Sequence, residues 1–494
     1  MCPPFVTQGN FRYNKKLVIA IATILIVVIT ADMIISSFYD VLTSLLLPND
    51  IQFETSNFVL AVTTIILFIV IIAITYGVGW PFFSALIDNA GKSLPKSPMR
   101  YFEPISRALT IIKYAIFGIL GLLIIEMLFF SYYHTILLIA ATVVSYIPAS
   151  VILAMLCYNL SSWYRSNRRR YAVLLYALST AMVAIAIGLN TAIYGGLLLQ
   201  KPDIISYSQI EEVHFTEISA STAGWAGALY LIGWIPFLFG FMLVWGGSVF
   251  LLRDFSYKIG KVKLWLIVSL PLAAYLIAIV PTMMLISENK FVFDDPSLLS
   301  FRILFKSAVV VGGLFFGMIF FVIARTIEQI PRTISVIAYV SVAGLGITML
   351  TILLASPVYH AIYPPFGVSS SSFVVFASYM VSIGFYYSAV SISQDVRLRR
   401  DIRALATSDT QFLDSIAYSQ MERAIKQRAF DVAKKLQHEL TEQTGIQSTL
   451  NDKDIAIYLE QVIEEVRSDR RSPHRTRQKN DEDGEDRQSN SEPA

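Results

Sequence analysis

The sequence predicts an all-α protein, a polytopic transmembrane helical bundle of about ten spans with a cytosolic helical tail. Three observations carry that expectation. The 494 residues are 55% hydrophobic and only 15% charged, whereas soluble domains carry about 25% charged residues. The charge is also partitioned: residues 395–494 hold 17 Lys/Arg and 20 Asp/Glu, leaving 22 basic and 16 acidic groups for the preceding 394 residues. Finally, apolar runs of about 20 residues, the length that crosses a ~30 Å hydrocarbon core, recur through the first four fifths of the chain. A soluble globular enzyme and a disordered chain are both excluded.

The runs are Leu17 to Phe38, Phe58 to Val78, Leu109 to Phe130, Ile136 to Leu160, Tyr171 to Leu199, Ala223 to Leu252, Leu264 to Ile286, Ser307 to Ala324, Ile334 to Leu354 and Ser372 to Ile392. Each is continuous rather than alternating, so each reads as a helix that satisfies its backbone internally, not as a barrel strand. The expected organisation is a cytosolic N-terminal arm (1–16), a ten-helix membrane domain (17–393), cytosolic amphipathic helices (394–468) and a disordered charged tail (469–494).

Orientation follows from the basic residues, which concentrate in cytoplasmic loops. With the N-terminus inside, the inner loops carry 17 Lys/Arg, among them Lys15, Lys16, Arg100, Arg168, Arg169, Arg170, Lys261 and Arg325, while the outer loops carry Lys201, Lys290 and Arg302. A missed span would scramble that alternation downstream. Both termini are therefore expected in the cytoplasm of a multi-pass cell-membrane protein. The basic start followed by Leu17 to Ile29 also resembles a secretory signal, but Ile29 stands where a small residue is wanted and the apolar run resumes after Asp32. An uncleaved first span is the expectation.

Charges at membrane depth are functional candidates because they cost at least ~2.5–3.5 kcal/mol at a helix centre. Asp32 and Glu126 lie roughly 22–26 Å from the inner face at 1.5 Å per residue, in the outer third. They either form a cation or proton site facing the bundle interior, or each anchors to the outer headgroups or a neighbouring helix. Lys113 is close enough to the inner surface to snorkel. Pro148, Pro236, Pro271 and Pro281 fall inside spans, and Pro236 with Gly233 marks a candidate helix bend. The Gly313-Leu-Phe-Phe-Gly317 spacing lets helices approach closely.

No catalytic, cofactor-binding or metal site is expected. Cys2 and Cys157 are too few and too far apart for a disulfide framework or thiolate site, and no His, Asp and Glu cluster has acid–base spacing. Glu211-Glu212-Val-His214 on the longest outer loop reads as solvation more readily than as a divalent-cation site. No compact basic region points to nucleic acid. The expected partners are the lipid bilayer and either a second copy or a cytosolic protein, reached through residues 395–468.

The last span is expected to run on as a helix through Asp395, Arg397, Leu398, Arg399, Arg400 and Arg403, with arginines where anionic lipid heads attract them. Gln394, Asp395, Arg397, Arg399 and Arg400 form a candidate signal junction between span and tail, or an ordinary interfacial anchor. Beyond it, Leu413, Ile416, Met421, Ile425, Val432 and Leu436 form a helical stripe, and Ile455, Leu459, Val462 and Val466 a second one.

Tyr363-Pro-Pro-Phe-Gly367, Tyr387-Ser-Ala-Val-Ser-Ile-Ser-Gln-Asp395, Arg397-Leu-Arg-Arg-Asp-Ile402 and Phe412-Leu-Asp-Ser-Ile416 resemble a family of uncharacterised archaeal multi-pass membrane proteins. The resemblance covers the neighbourhood of the last span and implies membrane location and lineage, with no activity to carry over. From the residues, the first expectation is a sensor or scaffold read out through the tail. The alternative is a secondary transporter or channel, and a membrane-embedded enzyme ranks third.

Overall fold

A computed structural model describes residues 15–46, 54–92, 102–166, 171–206, 225–253, 260–287, 296–328, 334–356, 363–394, 398–400 and 412–422, with scattered positions between 425 and 442. Ten helical segments among these are long and apolar enough to cross a membrane, and the protein is an all-α integral membrane bundle. The elements are α1 (Lys15–Leu46), α2 (Glu54–Lys92), α3 (Phe102–Phe130), α4 (Thr135–Ser166), α5 (Tyr171–Leu198), α6 (Trp225–Leu252), α7 (Lys261–Ser287), α8 (Pro296–Ile327), α9 (Ile334–Leu353), α10 (Val368–Ser372) and α11 (Val374–Gln394). The short α10 and the longer α11 together make the tenth crossing segment.

The helices extend past the expected spans, because the hydrophobic run fixes what must be in hydrocarbon and not where hydrogen bonding stops. In α1 the apolar run ends at Phe38, and there the backbone leaves helical values (φ −125°, ψ 17°). The expected bend in α6 has a different form: one helix runs through Pro236. Gly233, a turn earlier, admits Ile193 of α5, whose Cδ1 lies 2.8 Å from where a Cβ would stand.

Burial divides the segments into core and wall. In α9 89% of the span is buried and in α10–α11 all of it, against 28–56% elsewhere. The wall turns large apolar side chains outward, including Val27, Ile111, Phe117, Phe129, Leu266 and Met318, a surface suited to lipid and not to water. The last segment is the serine-rich one, and buried serine hydroxyls bond back within it: Ser378 to Val374 O at 2.8 Å and Ser388 to Phe385 O at 2.8 Å. These serines thus face protein and bond to it, while large apolar side chains of the wall face outward.

Small residues hold this core together. A Cβ on Gly317 of α8 would stand 2.6 Å from Gly344 O of α9, and one on Gly346 of α9 would stand 2.8 Å from Val381 N of α11. Gly313 meets Thr348 O of α9 at 3.2 Å by the same measure. The Gly313/Gly317 pair therefore marks the α8–α9 contact, where Thr348 Oγ1 also donates to Gly313 O at 3.1 Å.

Two elements were not expected. Tyr132–His134 (β1) and Ile204–Ser206 (β2) pair antiparallel, Tyr133 opposite Ile205, between the α3–α4 turn and the chain after α5. Thr135 fastens the pair, its N–H donating to Asp203 O at 2.9 Å and its hydroxyl to Pro202 O at 2.5 Å.

The chain forms two compact units, Met1–Gln420 and Met421–Ala494. Residues 412–420, placed by sequence in the tail block, belong to the first unit. Their helix packs on the bundle: Ser419 Oγ donates to Trp163 O at 3.0 Å and Trp163 Nε1 to Gln420 Oε1 at 3.3 Å. In the second unit the described positions are helical, Ile425, Val432 and Leu436 are exposed, and Lys435 pairs with Glu439 at 3.7 Å.

Candidate functional site

Buried polar side chains gather at the start of the tenth segment, where Asp32, Ser369, Ser370, Ser371 and Ser372 are all buried. Gly367 opens α10 in the left-handed region (φ +90°), a conformation that favours glycine, and so the N-cap position has no side chain to offer the free N–H groups of the first turn. Asp32 of α1 supplies what is missing. Its Oδ1 accepts from Gly367 N at 2.9 Å, and its Oδ2 accepts from Ser370 N at 2.9 Å and from Ser370 Oγ at 2.6 Å. The side chain is fully buried. Asp32 therefore acts as a helix cap donated by another helix, its two oxygens accepting from three donors.

The other end of α10 is serviced by α4. The helix is interrupted for one residue at Phe373, and Ser145 Oγ donates to Ser371 O at 2.8 Å and to Ser372 O at 3.2 Å while accepting from Val375 N at 3.3 Å. An irregular backbone in hydrocarbon has to be satisfied by protein, and a single hydroxyl does so here. Aromatic rings of α2 close the site: Phe68 meets Phe366 edge-on at 5.6 Å, Tyr76 meets Phe373 at 5.1 Å and Phe83 stacks on Phe376 at 5.0 Å.

Glu126 has a separate set of partners. Its Oε2 accepts from His134 N at 2.9 Å and its Oε1 meets His134 Nδ1 at 2.8 Å, which ties the end of α3 to β1. Glu126→Ala should free the His134 N–H and loosen this turn at a cost of about 1 kcal/mol, read as faster amide exchange over residues 131–135; unchanged exchange there would contradict the assignment. Of the other intramembrane charges, Lys113 donates to Ser84 Oγ at 2.9 Å and lies 4.2 Å over the Trp80 ring. Lys306 donates to Ala355 O, just beyond the end of α9, where a cation meets the negative end of the helix.

Beside β1, the Tyr133 and Tyr363 rings stack at 6.1 Å. Burial pushes the Tyr133 phenol well above its ordinary value, with the Tyr363 phenol adding to the effect, and burial also raises Tyr363. Above the ordinary tyrosine value of 10.0 the unfolded chain releases these protons while the folded one retains them, so stability falls as pH rises through that range. Tyr133→Phe should flatten the alkaline limb of a stability-versus-pH curve, and an unaltered limb would refute this.

A second feature lies among α4, α5, α6, α8, α9 and α11. A partly open cleft of about 60 Å³ is lined by Leu153, Tyr176, Val183, Phe237, Phe316, Leu350, Val381 and Phe385, among others. The hydroxyls on its walls are already engaged: Ser179 donates to Gly240 O at 3.1 Å, Thr180 to Ala177 O at 2.8 Å and Thr351 to Ile347 O at 2.8 Å, and Tyr176 OH meets Ser248 Oγ at 3.3 Å. The surface left to a guest is apolar. Two of its lining rings face the 412–420 helix as well, Phe412 lying 5.9 Å from Tyr176 and 6.1 Å from Phe385.

The remaining sequence candidates fall as follows. Pro236 and Gly233 are buried in α6, next to Phe237 of the cleft wall. Gln394 ends α11 exposed, Arg399 is half-buried and Arg400 exposed, while Asp395 and Arg397 lie outside the described residues, as do Glu211, Glu212 and His214. Among the described residues no three His, Cys, Asp or Glu side chains gather as metal ligands would. The Phe412 contact was missed in the sequence; its only signal is the aromatic that opens the Phe412-Leu413-x-x-Ile416 stripe. No family model, curated protein or solved structure matches the chain.

Proposed function

We propose that this integral membrane protein is a sensor or scaffold in which the packing of the bundle sets the position of a cytosolic tail. The observation that carries the reading is Phe412, seated against Tyr176 and Phe385, two rings that also wall the cleft. Any change in the cleft that moves either ring alters the seat of the helix leading into the tail. A two-position tail with a difference of a few kcal/mol suffices for a population shift. The 17-to-3 distribution of loop Lys/Arg puts that tail on the cytoplasmic side in this reading.

Hydrogen exchange on the full-length protein in lipid nanodiscs tests it. Phe412→Ala should raise exchange over 412–420 at least tenfold while α9 and α11 stay protected. Unchanged protection at 412–420, together with selective solute flux in proteoliposomes, would overturn the sensor reading. That flux would favour a secondary transporter, for which the interrupted tenth segment with Asp32 from another span at its start is the supporting observation.

A further inference from the structure

We propose that the cleft binds the end of an unbranched alkyl chain, the acyl tail of a lipid or fatty acid. This rests on the coupling reading above and supplies its ligand class. The walls come from membrane-crossing helices and their hydroxyls are bonded within the protein, so a guest is offered dispersion contacts and no hydrogen-bond partner. A polar solute would lose its hydration there without compensation.

Size and shape narrow the class. A cavity that takes benzene measures about 150 Å³, whereas this one measures about 60 Å³, so a ring or sterol nucleus is too bulky and a slender chain end is not. About 60 Å³ equals roughly two water molecules' share of the liquid at ~30 Å³ each, so the space takes the terminal few carbons of a chain and no longer stretch. The bilayer supplies long, narrow apolar chains at high concentration. Entry would press on Tyr176 and Phe385, the two rings that seat Phe412.

The full chain is reconstituted with phosphatidylcholine carrying a diazirine at the acyl terminus, or in a second arm is given a diazirine fatty acid in detergent, and labelled peptides are mapped. Leu350 and Leu354 are buried, so a chain that merely bathes the outer wall labels Ile111 and Phe117 of α3 and leaves them alone. Labelling of Leu350 or Leu354, competed by unlabelled palmitate and not by cholesterol, is the expected result; labelling in one arm only identifies the source as bilayer lipid or free acid. Val183→Phe, which narrows the cleft, should lower cleft labelling at least fivefold and leave α3 labelling unchanged. Because an overpacked variant can misfold, Leu350→Ala serves as the converse: it widens the cleft and should raise labelling at Leu354 at least twofold while α3 labelling stays unchanged.

Labelling confined to lipid-facing positions in both arms, or cleft labelling competed equally by cholesterol in the unaltered protein, would overturn the proposal. The coupling reading fails separately: cleft labelling with no change in 412–420 exchange on palmitate addition upholds the chain site and removes the sensor. Absence of cleft labelling alongside a Phe412→Ala response removes the chain site and retains the coupling.

Discussion

Asp32→Ala should destabilise the protein by about 3–5 kcal/mol, since it strands buried donors and each one left unsatisfied costs about 1–3 kcal/mol. The variant leaves Gly367 N–H, Ser370 N–H and the Ser370 hydroxyl inside the bundle without the oxygens that now accept from them. The hydroxyl has a fallback in Ile29 O, at 3.4 Å; the two backbone donors have none among the bonds described. Asp32→Asn should recover only part of the loss, since it keeps one accepting oxygen and turns an NH₂ group toward N–H donors. Ser370→Ala, which removes the hydroxyl's bond to Asp32 and its longer one to Ile29 O, should cost about 1 kcal/mol. Thermal unfolding in detergent measures all three. Equal stability of Asp32→Ala and the unaltered protein would mean that the cap on α10 contributes nothing to the fold.

Gly384→Ala should be strongly damaging for the addition of a single methyl group. The new Cβ would stand 2.5 Å from Ala343 Cβ, 2.6 Å from Ala343 N and 2.7 Å from Ala343 Cα. Most of these are backbone atoms of a buried helix and cannot turn aside, so α9 and α11 must separate. Overpacking costs about 1–3 kcal/mol, and the upper end is expected here because both helices are enclosed. Gly121→Ala on α3 is the control, as nothing lies within 4 Å of its added carbon. Removing a helical glycine there should leave the protein unchanged or about 0.5–1 kcal/mol more stable. A Gly384→Ala protein unfolding at the same temperature as Gly121→Ala would disprove the close contact.

The sequence and the structure agree where one kind of information is enough. Ten runs of apolar residues are local facts, and the ten crossing segments follow them, down to the loss of helical geometry at Phe38. Gly313 and Gly317 were legible as a close-packing surface because their spacing falls within one helix face. Gly344, Gly346 and Gly384 were not, since each is part of a packing pair made only when two helices meet. Asp32 stood out as a buried charge, but its partners are 335 and 338 residues away, and one of them, Gly367, contributes only a backbone N–H. Tyr132–His134 and Ile204–Ser206 are too short to carry any periodicity. For residues 412–420 the stripe announced that one face is covered; nothing in a stripe says that the cover is Trp163, Tyr176 and Phe385.

The position of the core in the chain has a consequence for biosynthesis. The enclosed centre, α9 through α11, is the last part of the bundle to be synthesised, and the walls come first. At roughly 5–20 residues per second, Asp32 enters the membrane on the order of 20–70 s before Gly367 and Ser370 exist to receive it. For that interval the first helix carries an unmatched carboxylate and the early spans have no centre to pack on. The nascent protein should therefore be a customer of membrane chaperones, and a chain arrested before residue 363 should be cleared by the cell's quality control instead of accumulating as a smaller bundle.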